Sequence, residues 1–255
     1  MIGFMEKSCA GLCDGVIGAT QVLTDYFTHP RRVALYNLPS SQFIATVAHY
    51  AQPLHKRKYD VLHLGTLSEE GRLEFLCAVL DGLFARKSDA RALVIGVRPD
   101  QERHLREHFP EERVTIMGKV DYEHIPAYLG DCRIGINIHP SLFPHLRCAV
   151  PVKIIEYMAG GCNVISSYLP ELHRLLGTEG TEHLTTIYTP HAERFTEEIL
   201  RLLNEPESMA RHQAAMMKLV RQRYNWDRES EKLEQFVADI LLGKDAGSYA
   251  RVYNQ

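Results

Sequence analysis

The 255 residues contain no run approaching the ~20 apolar residues that span a bilayer. The opening stretch MIGFMEKSCAGLCDGVIGA carries Glu6, Lys7 and Asp14 where a secretory leader needs an unbroken apolar core, so a cytoplasmic protein is expected, with loose membrane association left open but not predicted. A strong charge of either sign is also lacking. Lys and Arg number 29 against 32 Asp and Glu, and a formal charge of -3 offers no broad field for nucleic acid or an anionic surface. Six cysteines (Cys9, Cys13, Cys77, Cys132, Cys148 and Cys162) follow neither a disulfide framework nor paired CxxC knuckles. They read as reduced, mostly buried thiols. The histidines are scattered, and His139 and His145 lack the i, i+4 spacing of a helical zinc site, so no metal is expected. No GxGxxG opens a helix after the first core strand, which argues against a dinucleotide-binding oxidoreductase.

What is present is alternation. From about residue 60, short apolar runs at Asp60 to Leu64, Ala92 to Ile95, Val114 to Met117, Ile134 to Ile138 and Asn163 to Ser166 read as buried strands. Ile187 to Thr189 could add an edge. Between them, apolar positions recurring every three to four residues mark helices at Arg72 to Arg86, Asp100 to His108, Tyr122 to Leu129 and Lys153 to Ala159. Three more follow, at Ala192 to Asn204, Glu207 to Arg223 and Asp227 to Leu241, and Gly243 to Gln255 reads as a frayed tail. This order predicts an α/β, Rossmann-like, doubly wound parallel sheet. The first 58 residues differ: a helix over Met5 to Phe27 precedes RRVALYNLPSSQF, a strand and turn, and the segment cannot form a domain alone.

In such a sheet ligands bind beyond the carboxyl ends of the strands, which selects the loops at 65–68, 96–98, 118–120, 139–152 and 166–170. Gly65 closes a strand before a helix, where bare backbone can approach a phosphate or simply make a tight turn. In PVKIIEYMAGGCNVIS, Pro151 suits a helix start, and Lys153 and Glu156 stand on one face. They read either as a surface ion pair or as a phosphate clamp beside a carboxylate that accepts ribose hydroxyls.

These motifs, in this order, resemble the glycosyltransferases of the GT-B fold, in particular family 4. VLHLGTLSEEG is similar to the family's "vGrLs-eKG", ALVIGVRPD to "lvivGdGp", and VTIMGKVDYEHIPAYLGDCRIGINIHPS to "v.flG.v...elp.ly..adv.v.Ps". PVKIIEYMAGGCNVISS resembles "P.KlfEyMA.G.pVias", NWDRESEKL the terminal "fsW....kl", and EKSCAGLCDGVIGATQVLTDYF with RRVALYNLPSSQF the end of the N-terminal domain and the crossover.

The resemblance implies a C-terminal, donor-binding domain at 59–225, preceded by a remnant of the N-terminal domain and crossover at 1–58 and followed by a crossover helix and tail at 226–255. It implies transfer of a hexose-type sugar from a UDP- or GDP-linked donor to a glycan or glycolipid, as in polysaccharide assembly, with retention and without cofactor or metal. Glu156 would bind ribose, Lys153 the diphosphate, and Lys119 and Val120 the base through their backbones, with Gly65, Thr66 and Arg72 completing the donor site. The catalytic base would come from a separate acceptor-binding domain or chain. Three departures accompany this: Cys148 stands where the first Glu of the family's Glu-seven-residues-Glu motif falls, Thr66 replaces the Arg of "GrLs", and the Lys of "eKG" is missing. A degenerate domain kept for binding or assembly is the alternative they raise.

Overall fold

The computed structural model describes residues 2–68, 70–139 and 144–243. The chain opens with helix α1 (Ile2–Ala10), strand β1 (Val16–Gly18), helix α2 (Gln21–Asp25), strand β2 (Arg32–Ala34) and helix α3 (Ser41–Tyr50). The single helix expected over Met5 to Phe27 is therefore not formed. Glycines 11, 15 and 18 interrupt it, and Val16–Gly18 instead joins a two-stranded parallel ladder with Arg32–Ala34. Gly18 is packed so closely under α2 that a Cβ would come within 2.2 Å of Thr24 Oγ1. Ser40 caps α3, its hydroxyl accepting from Phe43 N–H at 3.1 Å.

The main sheet contains β3 (Tyr59–Leu64), β4 (Ala92–Ile95), β5 (Val114–Met117), β6 (Cys132–Asn137), β7 (Asn163–Ser167) and β8 (Leu184–Ile187). All six are parallel, in the order β5-β4-β3-β6-β7-β8. The strands read as nearly unbroken apolar runs because both faces of the sheet are covered. On one face, Val61, Val94, Ile134 and Ile136 meet α4 (Arg72–Arg86), α5 (Pro99–His108) and α9 (Ala192–Leu203). On the other, Leu62, Leu93 and Val164 meet α3, α6 (Ile125–Gly130), α7 (Val152–Ala159), α8 (Pro170–Thr181) and α10 (Pro206–Gln222). The chain ends its described part in α11 (Trp226–Leu241), capped by the Asn225 side chain, which accepts from Arg228 N–H at 3.1 Å.

Helices α3 and α8 escape a periodicity reading, and α8 is broken at Gly177 (φ 59°, ψ -168°). The edge strand lies at Leu184–Ile187, ahead of the expected position. Of the expected frayed tail only Gly243 falls among the described residues. Cys77, Cys132 and Cys162 are buried, whereas Cys9 and Cys13 are exposed, on a segment whose core contacts begin further along.

The segment before β3 is fastened to the sheet domain. Phe43, Ile44 and Val47 of α3 belong to the core cluster beneath α6 and α7. Glu171, almost fully buried on α8, accepts from the Gln21 N–H at 2.7 Å and the Tyr36 hydroxyl at 2.8 Å. It thereby caps α2 from 150 residues away, where the cap residue Thr20 uses no side-chain bond of its own. Glu229 of α11 accepts from Tyr36 N–H at 2.8 Å.

Candidate functional site

The strand order reverses between β3 and β6. β3 feeds α4 on one face and β6 leads to α7 on the other, so a crevice opens between their carboxyl ends. Helix α7 is set there by Tyr157. Its ring lies flat on Gly135 of β6, where a Cβ would approach within 2.4 Å, and its oxygen accepts from Leu64 N–H at 2.8 Å. One side chain thus ties α7 to the ends of β6 and β3 and fixes the turn entering Gly65.

Gly65 itself has φ +106°, a conformation that favours glycine, and a Cβ there would meet nothing within 4 Å. Gly96, at the same level of β4, has φ +90°, and its Cβ would press on the Gly65 backbone at 3.1 Å. The two glycines let the loops lie against each other, with Gly65 N–H donating to Ile95 O at 2.8 Å. Gln101 of α5 steadies the same loop, its amide donating to Leu67 O at 2.9 Å.

Arg72, the first residue of α4, is buried, and its Nη2 reaches His139 Nε2 at 3.5 Å. A guanidinium only donates, so His139 Nε2 must carry the lone pair in that contact. His139 is pinned through its backbone by Ser167: its N–H donates to the Ser167 hydroxyl at 3.0 Å, which donates back to His139 O at 3.1 Å. Beside them His63, on β3, is fully enclosed. Burial first, then the charges of Lys153 and Arg72, hold it well below the usual imidazole range, so it stays neutral. Gly65, Arg72 and Lys153 therefore surround one electropositive spot, with His63 and His139 as members that motif reading missed. His63 lies inside an apolar strand run, and His139 falls in the 139–152 ligand-binding loop without a role of its own.

Glu156 lies one turn along α7 from Lys153 and is 5% exposed. Burial raises its pKa, opposed by a hydrogen bond from Tyr122 and by the charge of Lys153. The Tyr122 hydroxyl donates to Glu156 Oε1 at 2.8 Å, and its ring stacks on Phe43 with centroids 4.9 Å apart. Together they edge a cleft of about 570 Å³ whose other walls are Asn37 to Ser40, Val152 and Trp226. Lys119 is exposed and Val120 half-buried in the loop that runs on to Tyr122 and so reaches this cleft. Thr66 is exposed and pairs with the Ser68 hydroxyl at 3.4 Å. Cys148 ends a short 3-10 turn, Pro144–Cys148, ahead of α7. Among the described residues no cluster of three His, Cys, Asp or Glu could hold a metal ion, and no helix is long and apolar enough to cross a membrane.

A six-stranded parallel sheet, covered by helices on both faces and opening a crevice at its switch point, is an α/β domain of the GT-B type. The chain belongs to the glycosyl transferases group 1 family, whose model matches residues 58–205. No curated protein matches the sequence. Among solved structures, the chain is similar to Anabaena HepE in complex with UDP and glucose (TM-score 0.69, 13% identity, 92% of this chain and 66% of that one). It is similar to a glycosyltransferase from Rickettsia africae (TM-score 0.73, 16% identity, 94% and 67%). A third is the sucrose-phosphate synthase of Thermosynechococcus elongatus (TM-score 0.70, 18% identity, 95% and 62%). These likenesses establish the fold. The chain spans about two thirds of the length of these structures or less.

Proposed function

We propose that this chain is the donor-binding, C-terminal half of a family 4 glycosyltransferase, moving a hexose-type sugar from a UDP- or GDP-linked donor to a glycan or glycolipid. The observation that carries the reading is the pairing, across one turn of α7, of the basic spot around Lys153 and Arg72 with the buried carboxylate of Glu156. A nucleoside diphosphate needs that pair: cations for the diphosphate and an acceptor for the ribose hydroxyls. When the sugar leaves, charge develops on the diphosphate, and fixed cations in a low-dielectric crevice stabilise it without reorganising. Gly65 and Thr66 border the diphosphate, and the backbone of Lys119 and Val120 borders the base. HepE, bound to UDP and glucose in a similar fold, supports a nucleotide-sugar ligand for this one. The acceptor and the catalytic base would come from a separate domain or chain.

Calorimetric titration with UDP, GDP and their sugar conjugates tests the donor site. Lys153→Ala is expected to weaken binding at least about tenfold, the loss of one charge-assisted contact. Equal affinity in parent and variant removes the clamp. The second reading, a binding or assembly domain without transfer, is favoured by Cys148 and Thr66 standing where the family carries Glu and Arg. As an assembly-only domain it predicts no nucleotide binding at millimolar ligand; as a degenerate binding domain it predicts binding without transfer.

A further inference from the structure

One of the two oxygens that could accept from the ribose is already taken. Glu156 is an almost fully buried carboxylate, able only to accept, and Tyr122 donates to its Oε1 at 2.8 Å. A buried carboxylate without a donor is costly, so some group has to fill that position when the site is empty. Tyr122 is an unusual choice for a permanent partner. It is 55% exposed, and it belongs to a single 3-10 turn, Tyr122–His124, flanked by exposed Asp121, Glu123 and His124. Its ring is held by one stacking contact with Phe43, rings tilted by 17°. Swinging it away breaks a stack and a hydrogen bond and uncovers part of Phe43, but takes no member out of the core cluster.

We propose that Tyr122 is a placeholder for the ribose: in the empty protein its hydroxyl occupies the hydrogen-bonding position on Glu156 that a ribose hydroxyl takes in the loaded one, and nucleoside binding exchanges one for the other. This rests on the reading of Glu156 as the ribose acceptor. The two donors are chemically alike, each a neutral O–H meeting a carboxylate, so the exchange is nearly balanced and ring departure sets its net free energy. The cleft of about 570 Å³ beside Tyr122, walled by Asn37, Ser40, Val152 and Trp226, can take either the displaced ring or part of a nucleoside. The contrary role is a fixed positioning residue that stays on Oε1 and leaves Oε2 to the ribose. The two roles differ in the sign of one substitution. Tyr122→Phe removes the competitor in the first case and the support in the second.

Titration of the parent, Tyr122→Phe and Tyr122→Phe/Glu156→Gln with UDP and with 2′,3′-dideoxy-UDP separates them. The expected result is UDP binding about three- to tenfold tighter in Tyr122→Phe, on the scale of one hydrogen bond no longer displaced. The gain should vanish with the dideoxy ligand and in the double variant. If the parent prefers UDP over the dideoxy ligand but Tyr122→Phe binds UDP equally or more weakly, the placeholder role is overturned and the ribose role of Glu156 stands. If neither the parent nor Tyr122→Phe prefers UDP over the dideoxy ligand, or if neither binds UDP or GDP, both readings fall.

Discussion

Glu156 carries a penalty that its position in the fold makes measurable. Burial raises its pKa from the ordinary 4.5, so between that value and its higher folded value the native protein holds a proton that the unfolded chain has released. The folded state binds more protons there, and stability must fall as pH rises through the window and stay lower above it. Glu156→Gln keeps an acceptor for the Tyr122 hydroxyl and removes the buried charge. The variant is expected to melt about 2–4 °C above the parent at pH 7, the shift that ~1 kcal/mol produces in a domain of this size, and level with it near pH 4. Thermal unfolding across pH 4 to 8 checks this, and a variant less stable than the parent at pH 7 would contradict it. Lys153 and Glu156 were legible as a pair because helical spacing places them on one face. Tyr122 was not, since its bond to Glu156 joins residues 34 apart that only the sheet topology brings together.

At the scale of elements, the position of α7 depends on a residue outside both helix and sheet. Arg57 lies just ahead of β3 and is 2% exposed. Its guanidinium donates to Gln52 O at 2.8 Å, Cys132 O at 2.6 Å, Gly160 O at 2.9 Å and Gly161 O at 3.1 Å. Gly160 is the C-cap of α7, so the cation satisfies carbonyls at the negative end of that helix while holding the start of β6. Lysine keeps the charge but has no planar fork to serve four acceptors. Arg57→Lys is therefore expected to lower stability by about 2–3 kcal/mol in urea unfolding, and a loss under ~0.5 kcal/mol would show that the carbonyls find other partners. The strands from β3 to β7 could be read because each is a mostly buried apolar run, with glycine or proline in most of the turns that follow. α3 and α8 could not: the first begins at a serine cap after a run of turn residues, and the second contains Gly177 and Gly180, whose break is compensated by Tyr224 donating to Leu176 O at 2.8 Å.

For the molecule as a whole, the weak point is the attachment of the opening segment. Its small parallel sheet has two strands and leaves Ile17 half exposed, and it is fastened to the rest chiefly through Glu171, Tyr36 and Glu229. Glu171→Gln turns one acceptor oxygen into a donor facing other donors. It should loosen residues before α3 while leaving the six-stranded sheet intact, so trypsin is expected to cut at Arg31 and Arg32 at least about fivefold faster than in the parent, the effect of a ~1 kcal/mol cheaper local opening. An unchanged rate would mean that apolar contacts alone hold the segment. The expected helix at Met5 to Phe27 failed for the same reason that this segment is weakly held: its strand is specified by pairing with residues further along and not by local propensity.

The fastening also has a history during synthesis. Tyr36 waits for Glu229, 193 residues later, and at ~5–20 residues per second that delay is on the order of 10–40 s. For that interval the segment around Tyr36 lacks one of its anchors, and Leu12, Ile17 and Leu23 stay exposed even in the finished fold. The glycines and charges scattered among them are then as much a safeguard for the nascent chain, keeping a waiting segment from aggregating, as they are features of the structure it eventually joins.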